Sequence, residues 1–284
     1  MFLWSTGYVG ARFGLPFADP LTFTSIRFAI AALLLGLIAC ARKTRLPSSP
    51  RAWGHLAVSG ILIHACFVGG VFSAINIGVD ISIAALIAGS QPLLTAILVV
   101  AFFGETLNRL QWVGFVVGFA GLAMVVVKSV EIDALTATGT AACLLGLFGI
   151  TIGAIYQKRY VLGTDLLAGS AVQFAFALVP CALWALMFET GTIDWNLTVG
   201  LALAWLCLVL SIGAISILLF LIQEGAASRV SSLFYLVPPV TALQGYWFFG
   251  ESLAMIQVAG ILVAAFGVAL INYSPKTAAE TALG

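Results

Sequence analysis

The chain holds two histidines, and one of them, His64, falls in the middle of a long apolar run. An ionisable group far from water is a functional hypothesis by default, and imidazole is the side chain that ordinarily titrates near neutral pH. The alternative is a neutral ring bonded to a backbone carbonyl of another helix. Phe67 and Val68 share its helical face. Trp4 and Tyr8 stand four residues apart and share another face. Such rings can stack on an aromatic ligand or hold an ammonium group. Anchoring at a membrane boundary is the competing use of Trp and Tyr, and it is preferred for Trp53, Trp184 and Trp195 near segment ends; Trp205 and Trp247 fit either.

Prolines interrupt two apolar runs, at Pro92 and at Pro238-Pro239. A proline removes a backbone donor and kinks a helix, which frees carbonyls. In lipid those carbonyls need partners or a watery cavity. Ser90, Gln91 and Tyr235 beside the breaks are therefore expected to line a cavity, with the prolines as hinges; the alternative is a kink that serves packing alone. Arg27 lies about two turns into an apolar segment. A buried guanidinium is costly unless paired, so the expectation is that it reaches outward to Asp19 or backbone carbonyls; binding a substrate carboxylate is the alternative. Glu105 and Glu251 fall at helix boundaries, where a carboxylate complements the helix dipole, and are expected to be caps.

Covalent chemistry is not indicated. The sequence has no HExxH, no GxSxG, no Cys/His metal spacing and no Gly-rich phosphate loop. Neither an enzyme nor a bound metal or cofactor is expected. The five cysteines all fall inside apolar runs and are read as small packing residues. Every Asp and Glu lies near a segment end, which disfavours a proton exchanger built on a central carboxylate. What remains is a largely neutral cavity, lined by rings and amides, for small amphiphilic molecules. Facilitated movement down a gradient is the simplest use, and His64 is the one obvious group for proton coupling. No charged ring or filter-like repeat speaks for a channel.

The elements that must hold these residues follow from composition. The 284 residues are 62% hydrophobic and 8% charged, against about 25% charged in a soluble domain. The mean hydropathy is +1.14. Lipid must be the main solvent, and a formal net charge of +1 gives no reason to expect nucleic acid. Charge and turn clusters divide the chain into ten apolar segments, roughly 1–15, 20–41, 52–74, 80–103, 107–128, 137–159, 166–188, 198–222, 229–249 and 254–272, several near the ~20 residues a spanning helix needs. The first is short and is read as a spanning helix whose start lies upstream. Residues 273–284 read as a loose polar tail. With the amino terminus inside, Arg42, Lys43, Arg45, Arg51, Arg109, Lys158, Arg159, Arg229 and Lys276 are cytoplasmic, and only Arg12 and Lys128 lie outside. The positive-inside rule therefore puts both termini in the cytoplasm.

"QPLLTAILVVAFFGE" at 91–105 returns as "VPPVTALQGYWFFGE" at 237–251, 146 residues later. The same shift relates Asp19 to Asp165, Arg27 to Gln173, Phe28 to Phe174, Gln111 to Gln257 and Gly114 to Gly260. Tyr156 falls near the position that matches Tyr8. A shift of five helices is odd, so the second copy enters the membrane upside down. Residues 1–128 and 137–272 thus form two inverted five-helix repeats around a central site, a plan that recurs in secondary transporters. Gly114, Gly118 and Gly121, with Gly260 and Gly267, would let helices approach closely, either within the bundle or at a dimer seam.

The stretch "LWSTGYVGARFGLPFADPLTFTSIRFAIAALLLG" at 3–36 and the two "P…T…FFGE" blocks resemble the EamA-type members of the drug/metabolite transporter superfamily. The resemblance covers the whole chain. It implies an all-α bundle of ten transmembrane helices in a bacterial inner membrane, with a cavity lined by helices 1, 3, 4, 6, 8 and 9. It also implies export of amino acids or similar metabolites by alternating access; YddG-type exporters of aromatic amino acids are one branch. Efflux of drugs or other amphiphiles is the alternative. The expected partners are a small-molecule substrate and the lipid bilayer, and the chain is expected to act as a monomer rather than a dimer.

Overall fold

The computed structural model describes residues 2–79, 84, 87–104, 106–126, 137–161, 163–224, 232–250 and 254–273. The expectations placed on Glu105, Glu251, Lys128, Arg229, Lys276 and the tail from 274 onward lie outside the described residues. The described residues are almost wholly helical and connecting chain, with one isolated antiparallel bridge between Ala18 and Ile193. In chain order the helices are α1 (Phe2–Gly14), α2 (Pro20–Ala41), α3 (Pro50–Asn76), α4 (Gln91–Phe103), α5 (Arg109–Val126), α6 (Ala137–Tyr160) and α7 (Leu166–Phe188). Then α8 runs through Leu197–Trp205, Leu206–Ala214 and Ile215–Glu224, followed by α9 (Val237–Phe249) and α10 (Met255–Asn272). Six of them, α2, α3, α6, α7, α8 and α10, are long and apolar enough to cross a membrane, while α4 and α5 are shorter apolar helices. This is a multi-pass membrane protein.

Local chemistry sets the boundaries. Proline occupies the first turn of α2, α3, α4 and α9, where a missing N–H breaks no intrahelical bond. Ser49 accepts from Ala52 N–H, Asp165 from Leu167 and Ala168 N–H, and Asn196 from Val199 N–H, which caps α3, α7 and α8. Gly104 (φ 69°) and Gly250 (φ 66°) stop α4 and α9 in the left-handed conformation that glycine tolerates best.

α5 packs along α10, and α2 along α7. At the first seam Gln111 Nε2 donates to the Ile271 carbonyl (3.4 Å), and Gln257 Nε2 donates to the Val125 carbonyl (3.1 Å). Each bond joins one helix's start to the other's end, so α5 and α10 run antiparallel. The glycines expected at a seam meet here: a Cβ on Gly260 would stand 2.8 Å from the Gly121 carbonyl, and one on Gly114 would stand 2.9 Å from that of Gly267. This stripe closes a contact inside the chain. At the second seam Glu189, just past the end of α7, caps the start of α2. It accepts from Leu21 N–H (2.8 Å), Thr22 N–H (2.7 Å) and the Thr22 hydroxyl (2.8 Å). α2 and α7 are therefore antiparallel too.

Further contacts pair up under the same shift. α1 touches α8 and α9, as α6 touches α3 and α4; α2 touches α8, as α7 touches α3. α3 and α8 also share a wider-wound π-helical stretch, Ile61–Gly69 and Leu206–Ala214. Such stretches inside α-helices are frequent at functional sites.

Candidate substrate-binding site

The π-helical stretch of α3 turns Ile63, His64 and Phe67 inward, toward Trp4, Gly7 and Tyr8 of α1. With Arg27 of α2 and Leu210 of α8 they border a partly open recess of about 520 Å³. A second recess, about 310 Å³, lies against the first and shares Trp4, Tyr8 and Phe67 with it. Its far side is made by Gln91 of α4, Ile150 of α6, and Phe234 and Pro238 around the start of α9.

The wall shared by the recesses is aromatic. Trp4 stacks on Phe67 at 6.2 Å between centroids and 22° between planes, and meets Phe234 edge-on at 5.3 Å. His64 lies almost flat on Phe174 (4.2 Å, 18°) and edge-on to Phe28 (6.1 Å). It is 1% exposed, and its Nε2 makes no hydrogen bond in this conformation. Gln91 is buried; its Nε2 donates to the Thr95 hydroxyl (3.1 Å), while its Oε1 accepts no bond.

Trp4, Tyr8, His64, Phe67, Gln91 and Pro238 thus come together around the two recesses. Ser90, Pro92, Pro239, Tyr156 and Tyr235 line neither. Ser90 sits in the turn that precedes α4, and Pro92 is the second residue of that helix. Tyr235 belongs to a 3₁₀ turn before α9 and is fully buried, with its ring edge-on to Phe115 (6.5 Å) and against Gly118 of α5. Tyr156 is a neighbour of His55 near the start of α3, with its hydroxyl 2.6 Å from His55 Nδ1.

Arg27 departs from expectation. Asp19 does not bond it, because Asp19 accepts from the Thr190 hydroxyl (2.7 Å), the Thr192 amide and the Thr192 hydroxyl. α2 turns Arg27 inward instead, where its Nε donates to Ser211 Oγ of α8 (3.0 Å) and its guanidinium lies 5.8 Å from the Phe28 ring centre. The recess is therefore not neutral, as the sequence suggested, but cationic on one wall. The signal available in the sequence was the charge itself, set among apolar residues. Its direction depends on how α2 is rotated against α8, which a single helix does not reveal. Among the described residues no group of three or more His, Cys, Asp or Glu side chains is placed to hold a metal ion.

Known proteins agree with this architecture. A solved chain described as "Crystal structure of protein" superposes with a TM-score of 0.80 at 19% identity, covering 95% of this chain and 93% of that one, a likeness of fold. The "Uncharacterized inner membrane transporter YedA" of Escherichia coli (strain K12) is 29% identical over 270 residues, covering 95% of this chain and 87% of that protein. A "Probable amino-acid metabolite efflux pump" of Salmonella typhimurium is 24% identical over 275 residues, covering 94% of this chain and 90% of that protein. The model of the EamA-like transporter family matches twice, over residues 1–127 and 137–273. The match takes in both copies of the repeated segment and nearly the whole chain, so this protein belongs to the EamA-like transporter family.

Proposed function

We propose that the chain exports small amphiphilic metabolites, amino acids first among them, across a bacterial inner membrane by alternating access. The observation that carries this reading is the pair of adjoining recesses, walled by helices of both halves and sharing Trp4, Tyr8 and Phe67. A ligand at that wall could be presented to one side or the other by a rocking of the halves. Ten helices in two inverted repeats, with both termini cytoplasmic, supply the architecture. The antiparallel pairing of α2 with α7 and of α5 with α10 supports the inversion. The helix starts at Pro92 and at Pro238-Pro239 are the hinges in this reading. The relative described as an amino-acid metabolite efflux pump favours amino acids as the substrate class, and that described as an inner membrane transporter favours the location. The close glycine packing within the chain removes one reason to invoke a dimer, so a monomer is the working unit.

Counterflow in proteoliposomes tests the reading. Vesicles preloaded with single amino acids should exchange labelled amino acid at a saturable, slow rate. Ohmic single-channel currents, or no exchange with any amino acid or related metabolite, would contradict it.

A further inference from the structure

We infer that Arg27 is an anion anchor, and that the molecule carried has a carboxylate at one end and an apolar body at the other. This rests on the carrier reading above and adds the charge and shape of the substrate.

Arg27 is 2% exposed, yet it borders the larger recess. Among the described residues no carboxylate stands within ion-pair distance of it. Asp19 and Glu189 are engaged at the α2 seam, Asp165 caps its own helix, and Asp194 and Glu224 lie at or beyond helix ends. Among the described residues the side-chain bond of Arg27 runs from Nε to Ser211 Oγ. That bond holds the guanidinium by its Nε, and the two terminal NH₂ groups are the fork that meets a carboxylate in bidentate fashion. A cation held away from water is costly unless it is paired, and a bound anion offsets that cost.

The rest of the recess selects the body. Trp4, Phe67, Phe72, Ile63, Val68 and Val71 offer rings and branched chains. Among the described residues no Asp or Glu borders the recess to receive an ammonium group. The carboxylate is therefore the charged feature that is read, and an α-ammonium adds little beyond contact with an aromatic face. The matching position in the second half makes the same point by contrast. There the chain places Gln173, whose Nε2 donates to Gln157 Oε1 (2.7 Å) and Ser59 Oγ (3.2 Å). That amide ties α7 to α3 and α6 beside a smaller recess of about 160 Å³, whereas the cation stands on the recess of about 520 Å³.

Three probes with one ring separate the possibilities: phenylalanine, phenylpyruvate and phenylethylamine. Each is titrated against the purified full-length protein in detergent, and ligand-induced thermal stabilisation is read. Phenylalanine and phenylpyruvate should stabilise the wild type at concentrations at least tenfold below any effect of phenylethylamine; whichever acts lower identifies the source of the carboxylate. Arg27→Gln, the residue the chain itself uses at the matching site, should abolish that difference, and Arg27→Lys should keep part of it. Equal stabilisation by all three probes, no stabilisation by any, or an undiminished preference in Arg27→Gln would overturn the inference. If Arg27→Gln does not fold, the wild-type ranking and Arg27→Lys decide. Because binding is read without flux, a carrier that exchanges amines but ignores carboxylates would sink this inference and leave the carrier reading standing.

Discussion

Gln111 and Gln257 make the same bonds in opposite directions. The Gln111 Oε1 accepts from Asn108 N–H (2.9 Å) at the start of α5, and the Gln257 Oε1 accepts from Ala254 N–H (2.9 Å) at the start of α10. Each side chain then donates its amide to a carbonyl near the end of the other helix. One side chain thus satisfies a helix start and ties two helices together. Gln257→Ala should lower stability by about 1–3 kcal/mol, since it breaks two hydrogen bonds and leaves polar backbone without its partners. Thermal unfolding in detergent measures this, and Gln257→Glu, which keeps the acceptor for Ala254 N–H, should fall between the two.

The glycine seam beside these residues gives a sharper contrast. A Cβ on Gly260 would sit 2.8 Å from the Gly121 carbonyl and from Val125 N, backbone atoms that cannot turn aside. Gly260→Ala should push α5 and α10 apart and cost about 1–3 kcal/mol, a few degrees in Tm. Gly36 of α2 has nothing within 4 Å of such a Cβ, so Gly36→Ala should be neutral or stabilising by up to about 1 kcal/mol. Equal effects at the two positions would argue against a tight α5–α10 seam.

Acid should loosen the end where α2 and α7 meet. Hydrogen bonding from the Thr190 hydroxyl, backed by Thr192 and by the Gly191 backbone, holds the Asp19 carboxyl below its usual range, and slight burial opposes this. A carboxyl with a depressed folded pKa contributes stability above its unfolded pKa of about 3.9 and loses that contribution as pH falls through the folded value. Wild-type melting temperature should therefore fall as the pH is taken below about 4, and Asp19→Asn should show a smaller fall, its contribution already lost at neutral pH. An unchanged pH profile in Asp19→Asn would refute the assignment.

Trp4 and Phe67 form the wall that both recesses share, so substitution there should act on affinity. Trp4→Ala should raise the half-saturating substrate concentration in counterflow by about tenfold, the equivalent of ~1.4 kcal/mol of lost ring contact, and Trp4→Phe should raise it by less. Unaltered affinity in Trp4→Ala would place the substrate elsewhere.

Uptake is expected to run without a pH gradient, in the wild type and in His64→Ala. Strict dependence on the gradient that survives His64→Ala would contradict both uncoupled transport and coupling through His64.

The repeated block and the break points were open to reading from the chain alone, because proline, glycine and acidic caps act locally. Pro92, Gly104 and Asp165 bound helices whatever surrounds them. His64, Phe67, Trp4 and Tyr8 were also legible, since residues three or four apart must share a face. Helix rotation was not. Tyr235 belongs to a buried aromatic cluster with Phe115, and Tyr156 pairs with His55, because the turn before α9 and the α3–α6 contact aim them there. Arg27 was misdirected for the same reason. The π-helical windings of α3 and α8 leave no mark in residue type, and they decide which side chains of the middle turns face inward.

Opposed orientation of the two halves is tested most directly by cysteine labelling. Ser48 and Asp194 are exposed, lie in the α2–α3 and α7–α8 connections, and are related by the 146-residue shift. In a chain whose five native cysteines are replaced, single Ser48→Cys and Asp194→Cys variants are treated in intact cells with an impermeant thiol reagent. Asp194→Cys should be labelled from outside and Ser48→Cys only after the membrane is opened; labelling of both from the same side would contradict the inverted architecture and the carrier mechanism built on it.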